Sequence, residues 1–249
     1  MQNLRYVGKN LFIEKLSIKN ILKKQKTPFY IYSENQIITN FLKFKNTFKK
    51  TNPLICFAAK SNSNLNILKV LGKLGAGADV VSGGELLKAL KAGIKAKKIV
   101  FSGVGKTEEE LKIAINKNIL LINCESESEA KLVNNLAKKL RKKVSIGFRL
   151  NPNVDAKTHK NISTGKAENK FGLSIKSFKI FLKTINSLKN IKLDALSVHI
   201  GSQILNDAPF RKTLSVMSNL IKELRLNLNY VDLGGGFGIN YTNKEKPIN

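Results

Sequence analysis

Cysteine is nearly missing. Cys56 and Cys124 are the only two in 249 residues, each lies in or beside an apolar run, and no Cys-x-x-Cys spacing exists. That usage suggests neither a disulfide framework nor a zinc site and suits a reducing compartment. Long apolar runs are missing too. No stretch approaches the roughly 18 residues of a membrane span, and Met1-Gln2-Asn3-Leu4-Arg5-Tyr6 leads into no signal-peptide core. The expectation is a soluble, cytoplasmic chain with no membrane partner. His-Glu-x-x-His, paired-histidine metal spacings and Gly-x-Ser-x-Gly are also absent, so no metal site is expected.

Acidic residues are scarce: 17 Asp+Glu stand against 44 Lys+Arg, a formal net charge of +27. Such an excess invites a nucleic-acid or anionic-membrane reading. Its distribution argues otherwise. Lys15, Lys23, Lys24, Lys49, Lys50, Lys138, Lys139, Lys142 and Lys143 are spread along the chain, with no arginine-rich arm, zinc-finger spacing or aromatic RNA motif. No specific nucleic-acid partner is expected, only weak adhesion to polyanions. With 42% hydrophobic and 24% charged residues the chain is globular by composition, which excludes wholesale disorder and fibrous classes.

What is present is an alternation. Short β-branched or apolar runs occur at Phe29 to Tyr32, Leu54 to Ala58, Ala78 to Val81, Ile99 to Phe101, Ile119 to Ile122, Val144 to Arg149, Leu196 to Ile200 and Tyr230 to Leu233. Between them, apolar residues return every three or four positions in Leu65 to Leu74, Glu85 to Ala92, Glu108 to Asn116, Glu127 to Leu140, Phe178 to Leu188 and Phe210 to Leu224. Strand followed by helix, at an early spacing of about twenty residues, predicts an α/β fold with a parallel sheet of the (β/α)8 TIM-type barrel. From Leu54 the count reaches seven strands and leaves an eighth missing, which would expose two unpaired edges. Leu4 to Ile18 stands outside the pattern and reads as a strand or hairpin pairing elsewhere.

Polar and glycine residues gather where strands end, and in a parallel barrel those points share one rim, the face where active sites are built. Lys60 ends the run Cys56-Phe57-Ala58-Ala59. Partial burial there would favour the neutral, nucleophilic amine of a Schiff-base lysine; the alternative is a surface lysine at a strand end. Gly234-Gly235-Gly236-Phe237-Gly238 leaves the last strand, so unhindered N–H groups could converge on an anion, or simply make a tight turn. His199, by strand alternation, shares a face with Ser197 and Gly201, and could stack on an aromatic cofactor or sit as a hydrogen-bonded core histidine; the Ser202 hydroxyl could bind phosphate. Arg149 is a cation at the same rim, able to pair with a phosphate or carboxylate, or with Asp79 or Glu85, which could instead position Lys60.

Together, Phe57-Ala58-Ala59-Lys60-Ser61-Asn62, Gly77 to Glu85, Ser197 to Gln203 and Leu233 to Gly238 resemble, in order and spacing, the pyridoxal-phosphate decarboxylases of the alanine-racemase-like barrel fold. Arg149-Leu150-Asn151-Pro152-Asn153-Val154-Asp155, with Thr158-His159, Ile162 to Gly165 and Glu168 to Gly172, is similar to the diaminopimelate decarboxylases within that group. The resemblance implies that Lys60 is the catalytic lysine that holds pyridoxal 5'-phosphate. It implies that His199 stacks on the pyridine ring, that Ser202 and Gly234, Gly235 and Gly236 cradle the phosphate, and that Asp79 and Arg149 lie near the cofactor. The implied reaction is decarboxylation of meso-2,6-diaminopimelate to L-lysine and CO2, the last step of lysine biosynthesis, in a homodimer.

The same resemblance implies a domain division, with residues 1–25 belonging to a β-rich second domain and 26–249 forming an incomplete barrel. The family's Glu-Pro-Gly-Arg motif on the eighth strand and its C-terminal β domain have no counterpart here, so the expectation is an N-terminal portion of such an enzyme. Alternatives are a related decarboxylase of basic amino acids or polyamine precursors, an inactive truncated remnant, or a basic binding module.

Overall fold

The computed structural model describes residues 4–155, 171–241 and 248. Its main sheet runs through β4 (Cys56–Ala58), β5 (Gly77–Val80), β6 (Ile99–Phe101), β7 (Leu121–Cys124), β8 (Val144–Asn151), β10 (Ile191–Val198) and β11 (Tyr230–Asp232), neighbours in that order. Every pairing is parallel. The two-residue β9 (Leu173–Ser174) adds to β8 off this path. These are the seven expected strands, and among the described residues β4 and β11 remain unpaired edges. At the β11 edge Tyr230, Val231 and Leu233 are exposed, as an open barrel requires.

The helices that follow are α3 (Leu65–Lys73), α4 (Gly83–Lys91), α5 (Glu108–Asn116), α6 (Glu127–Lys139), α7 (Ile175–Ile185) and α8 (Ala208–Glu223), close to the predicted ranges. Each of α3 to α7 begins at a polar cap: Asn64, Ser82, Thr107, Ser126 and Ser174 accept an N–H of the first turn. Their apolar faces close one core against the sheet, with Phe148 between Phe178 and Phe181 at ring separations of 5.7 and 5.3 Å.

The sheet curls. β11 and β7 are three places apart, roughly 14 Å in a flat sheet. Yet Asn123 Nδ2 on β7 donates to Asp232 Oδ2 on β11 at 3.1 Å. Ser197 Oγ donates to the same oxygen at 3.1 Å, and Asn123 Nδ2 also reaches Ser102 Oγ at 3.3 Å. The interior of this half-barrel therefore holds a polar layer, and strand ends on both sides of the curl face one another.

Three expectations change. Phe29 to Tyr32 forms no strand: Tyr30 is 91% exposed, so its β-prone residues have no sheet to join. A helix without a sequence signal above, α2 (Glu34–Thr47), follows instead, capped by Ser33 accepting from the Gln36 N–H at 3.0 Å. The opening segment does form strands, β1 (Leu4–Val7), β2 (Asn10–Ile13) and β3 (Leu16–Ser17), but they pair antiparallel with one another, ahead of the short α1 (Ile18–Leu22).

Candidate active site

Each barrel strand delivers its polar residue at its C-terminal end, and the curl turns these toward a common mouth. Lys60 sits in a single 3-10 turn, Ala59–Ser61, directly after β4. It is exposed, where partial burial was expected, because the turn lifts it past the last buried position, Ala59. Its charge still acts on both Asp79 and His199.

His199 follows β10 and is half-buried. Burial, then the Arg149 and Lys60 cations, hold its imidazole down to about 4. It is neutral at neutral pH. Its Nδ1 faces the Gly235 N–H at 3.4 Å, a long bond that places the ring proton on Nε2.

The glycine run is pressed against the loop after β10. Gly234 and Gly236 have φ of +67° and +94°. A Cβ on Gly234 would lie 2.4 Å from Val198 O, and one on Gly236 would lie 1.9 Å from Gly201 O. No other residue type fits there. A Cβ on Gly235 would meet nothing within 4 Å, so that side of the loop is open. Asp232 holds the loop start by accepting the Gly234 N–H at Oδ1, 2.8 Å. Phe237 anchors its end, stacked 4.7 Å from Phe210 on α8 and edge-on 5.4 Å from Phe44 on α2. Ser202 is exposed, its Cα 3.5 Å from where a Gly236 Cβ would stand.

Asp79, on β5, is pushed up to about 6, first by burial and further by the Asp232 carboxylate; a Ser102 hydrogen bond and Lys60 pull the other way. Its Oδ1 and Asn123 Oδ1 are buried without a hydrogen-bond partner. Arg149, on β8, pairs with neither Asp79 nor Glu85. Its Nη1 lies 3.1 Å from Glu125 Oε1, and its guanidinium sits 5.1 Å over the Phe171 ring. Glu85 instead accepts the Val81 N–H at 2.9 Å.

The structure thus brings Lys60, Asp79, Arg149, His199, Ser202 and Gly234 to Gly236 to one rim. Residues 156–170, which carry Thr158, His159 and Glu168, lie outside the described residues. Sequence reasoning missed Glu125, Lys106, Glu129 and the Asn123–Asp232 link. The usable signal was Ser126-x-x-Glu129, a helix-start pattern directly after β7.

Residues 34–249 match the family described as pyridoxal-dependent decarboxylase, pyridoxal binding domain. The chain is 43% identical over 246 residues to the diaminopimelate decarboxylase of Aquifex aeolicus, covering 98% of this chain and 58% of that protein. It is 45% identical over 234 residues to that of Campylobacter jejuni, covering 92% and 58%. The crystal structure of diaminopimelate decarboxylase from Helicobacter pylori complexed with L-lysine superposes with a TM-score of 0.89 at 41% identity, over 93% of this chain and 59% of that one. The chain therefore spans a little under three fifths of the length of these relatives. By the match of most of its length and the agreement of its curled sheet, the chain belongs to the pyridoxal-dependent decarboxylase family.

Proposed function

We propose that this chain carries the cofactor-binding barrel of a pyridoxal-phosphate-dependent decarboxylase that converts meso-2,6-diaminopimelate to L-lysine and CO2, the last step of lysine biosynthesis. The observation that carries the reading is the convergence of an exposed lysine, a neutral imidazole, a cation and a side-chain-free glycine loop at one barrel rim. The residues fit pyridoxal 5'-phosphate: the loop is open at Gly235, and the buried Asp79 Oδ1 and Asn123 Oδ1 lack donors.

Gly234, Gly235, Gly236 and Ser202 would hold the phosphate, and Lys60 would bond the cofactor's aldehyde carbon through Nζ. His199 offers a neutral ring face for stacking, because desolvation keeps the proton off it. Arg149 supplies a fixed cation toward an anionic group, and Asp79, near Lys60, completes the polar lining. When bound, the cofactor supplies an electron sink for the carbanion left as CO2 departs.

The substrate assignment is supported by the names of the Aquifex and Campylobacter relatives and by the Arg149 to Asp155 stretch. Residues 26–249 form the barrel domain in this reading and 1–25 a segment of a β-rich second domain; among the described residues β1 to β3 pair only with one another as strands and leave Leu4, Tyr6, Val7 and Leu16 exposed. Cytoplasmic location and a homodimer belong to the same proposal. Among the described residues no helix is long and apolar enough to cross a membrane. The test is CO2 release from meso-diaminopimelate against L-lysine, L-ornithine and L-arginine, with pyridoxal phosphate added. Release from the first alone, falling at least about a thousandfold in Lys60→Ala, is expected. Release only from another diamino acid would reassign the substrate, and no release with no cofactor binding would reject the reading.

A further inference from the structure

Among the described lysines only Lys106, in the loop after β6, is buried. Its side chain is 1% exposed, and its ammonium donates to Gly103 O at 2.6 Å, Asn123 O at 2.7 Å and Glu129 Oε1 at 2.6 Å. All three of its protons are used. The second carboxylate oxygen of Glu129 accepts the Glu125 N–H at 2.7 Å. One ion pair thus grips the main chain on both sides of Cys124, at Asn123 and at Glu125. Glu125, itself buried, then presents Oε1 to Arg149 Nη1 at 3.1 Å, while its Oε2 has no hydrogen-bond partner. The carboxylate is therefore tied on one side only, by the guanidinium. Phe171 covers Arg149, whose cation acts on His199.

We propose that Lys106 and Glu129 are positioning residues, which through Glu125 fix the Arg149 guanidinium in front of His199. A buried ion pair is a poor source of stability, since well-packed apolar residues of similar volume serve as well or better. Its distinct property is direction. Here the direction ends on a cation at the candidate site, and in this the inference rests on the reading of Arg149 as a site residue.

The test replaces the pair by apolar residues, K106M/E129L, which removes both charges and the grip on Glu125 without leaving either charge alone. The readout is the imidazole titration of His199 by NMR, assigned with H159Q because the chain has only two histidines. Burial and the Arg149 and Lys60 cations hold the parent imidazole down to about 4, so its titration is expected near there. In R149M the midpoint is expected to rise, because a cation that disfavours the imidazolium is gone while the burial remains. K106M/E129L is expected to rise in the same direction while its thermal midpoint stays within about 4 °C of the parent. R149M added to it should change nothing more. A purely structural role would move the thermal midpoint and leave His199 alone. A parent-like His199 in K106M/E129L, or in R149M, overturns the proposal. Should K106M/E129L not fold, E125A decides: a rise like that of R149M supports the relay, and an unchanged or lowered midpoint overturns it. Equilibrium dialysis with pyridoxal 5'-phosphate runs alongside, with about tenfold weaker binding expected in K106M/E129L. Absence of binding to the parent sinks the cofactor reading and leaves the titration to decide the relay.

Discussion

Two arcs of the same rim satisfy their charges in opposite ways. Along β6 to β8, Lys106, Glu129, Glu125 and Arg149 form a continuous run of ion pairs and charge-assisted bonds at 2.6 to 3.1 Å, with only Glu125 Oε2 left over. Along β4, β5 and β10 to β11, Lys60 is exposed, Asp79 keeps a buried oxygen without a donor, His199 is held neutral and the glycine loop has an open side. Both arcs are built from strand ends on one scaffold. The first arc fixes geometry, and the second presents an exposed amine, a neutral imidazole and the open side of the glycine loop. Buried polar groups cost stability unless bonded, so the oxygens of Asp79, Asn123 and Glu125 that are buried without a donor mark the interior of this rim as a place for a ligand.

Breaking the paired arc should cost most. Lys106→Met alone leaves the partly buried Glu129 with no cation, and a loss of about 2 to 4 kcal/mol in denaturant unfolding is expected, most of it recovered in K106M/E129L. A loss under about 1 kcal/mol would mean that the arc is solvated and that the contrast fails. Gly236→Ala on the open arc comes next. Its Cβ would strike Gly201 O at a backbone φ of +94°, so the loop must shift, at about 2 to 4 kcal/mol and with loss of anion binding. Parent-like stability would show that the loop is not pressed onto the β10 loop.

The smallest effect sharpens the comparison through pH. Asp79 has its folded value raised from 3.8 to about 6, so the fold favours its protonated form. That contribution is full below about 3.8 and is lost as pH rises through 6. His199 has its folded value lowered from 6.5 to about 4, so its contribution is full above 6.5 and is lost as pH falls toward 4. The two slopes oppose each other between about pH 4 and 6. Asp79→Asn should therefore stabilise the fold by about 1 to 2 kcal/mol at pH 8, do nothing at pH 3.5, and uncover the rising limb due to His199. Urea unfolding across that range reads it; equal effects at both pH values would show that the carboxyl is not desolvated.

The seven strands and six helices were legible because each strand run is short, buried and followed by a capped amphipathic segment, as with Ile99 to Phe101 and Thr107 before α5. α2 was not: it has no fully buried residue, so its apolar spacing at Ile37 and Phe41 reflects only a half-exposed contact with α3. Phe29 to Tyr32 misled in the other direction, since β-propensity needs a partner strand to act on. The candidate site was legible as a group of strand-end residues wherever the local sequence is unusual, as with His199, one of two histidines, and three successive glycines. Lys106 was hidden because one buried lysine looks like any other in so basic a chain, and only its three acceptors distinguish it. Glu125 was hidden because its partner, Arg149, arrives from the next strand.

The central claim is that one lysine among many meets the cofactor. Incubation with pyridoxal 5'-phosphate, reduction with borohydride and peptide mapping of the pyridoxyl label tests it most directly. The label is expected on Lys60 at one equivalent, lost in Lys60→Ala and weakened in Gly236→Ala. A label spread over surface lysines, or fixed on a different one, would contradict the account.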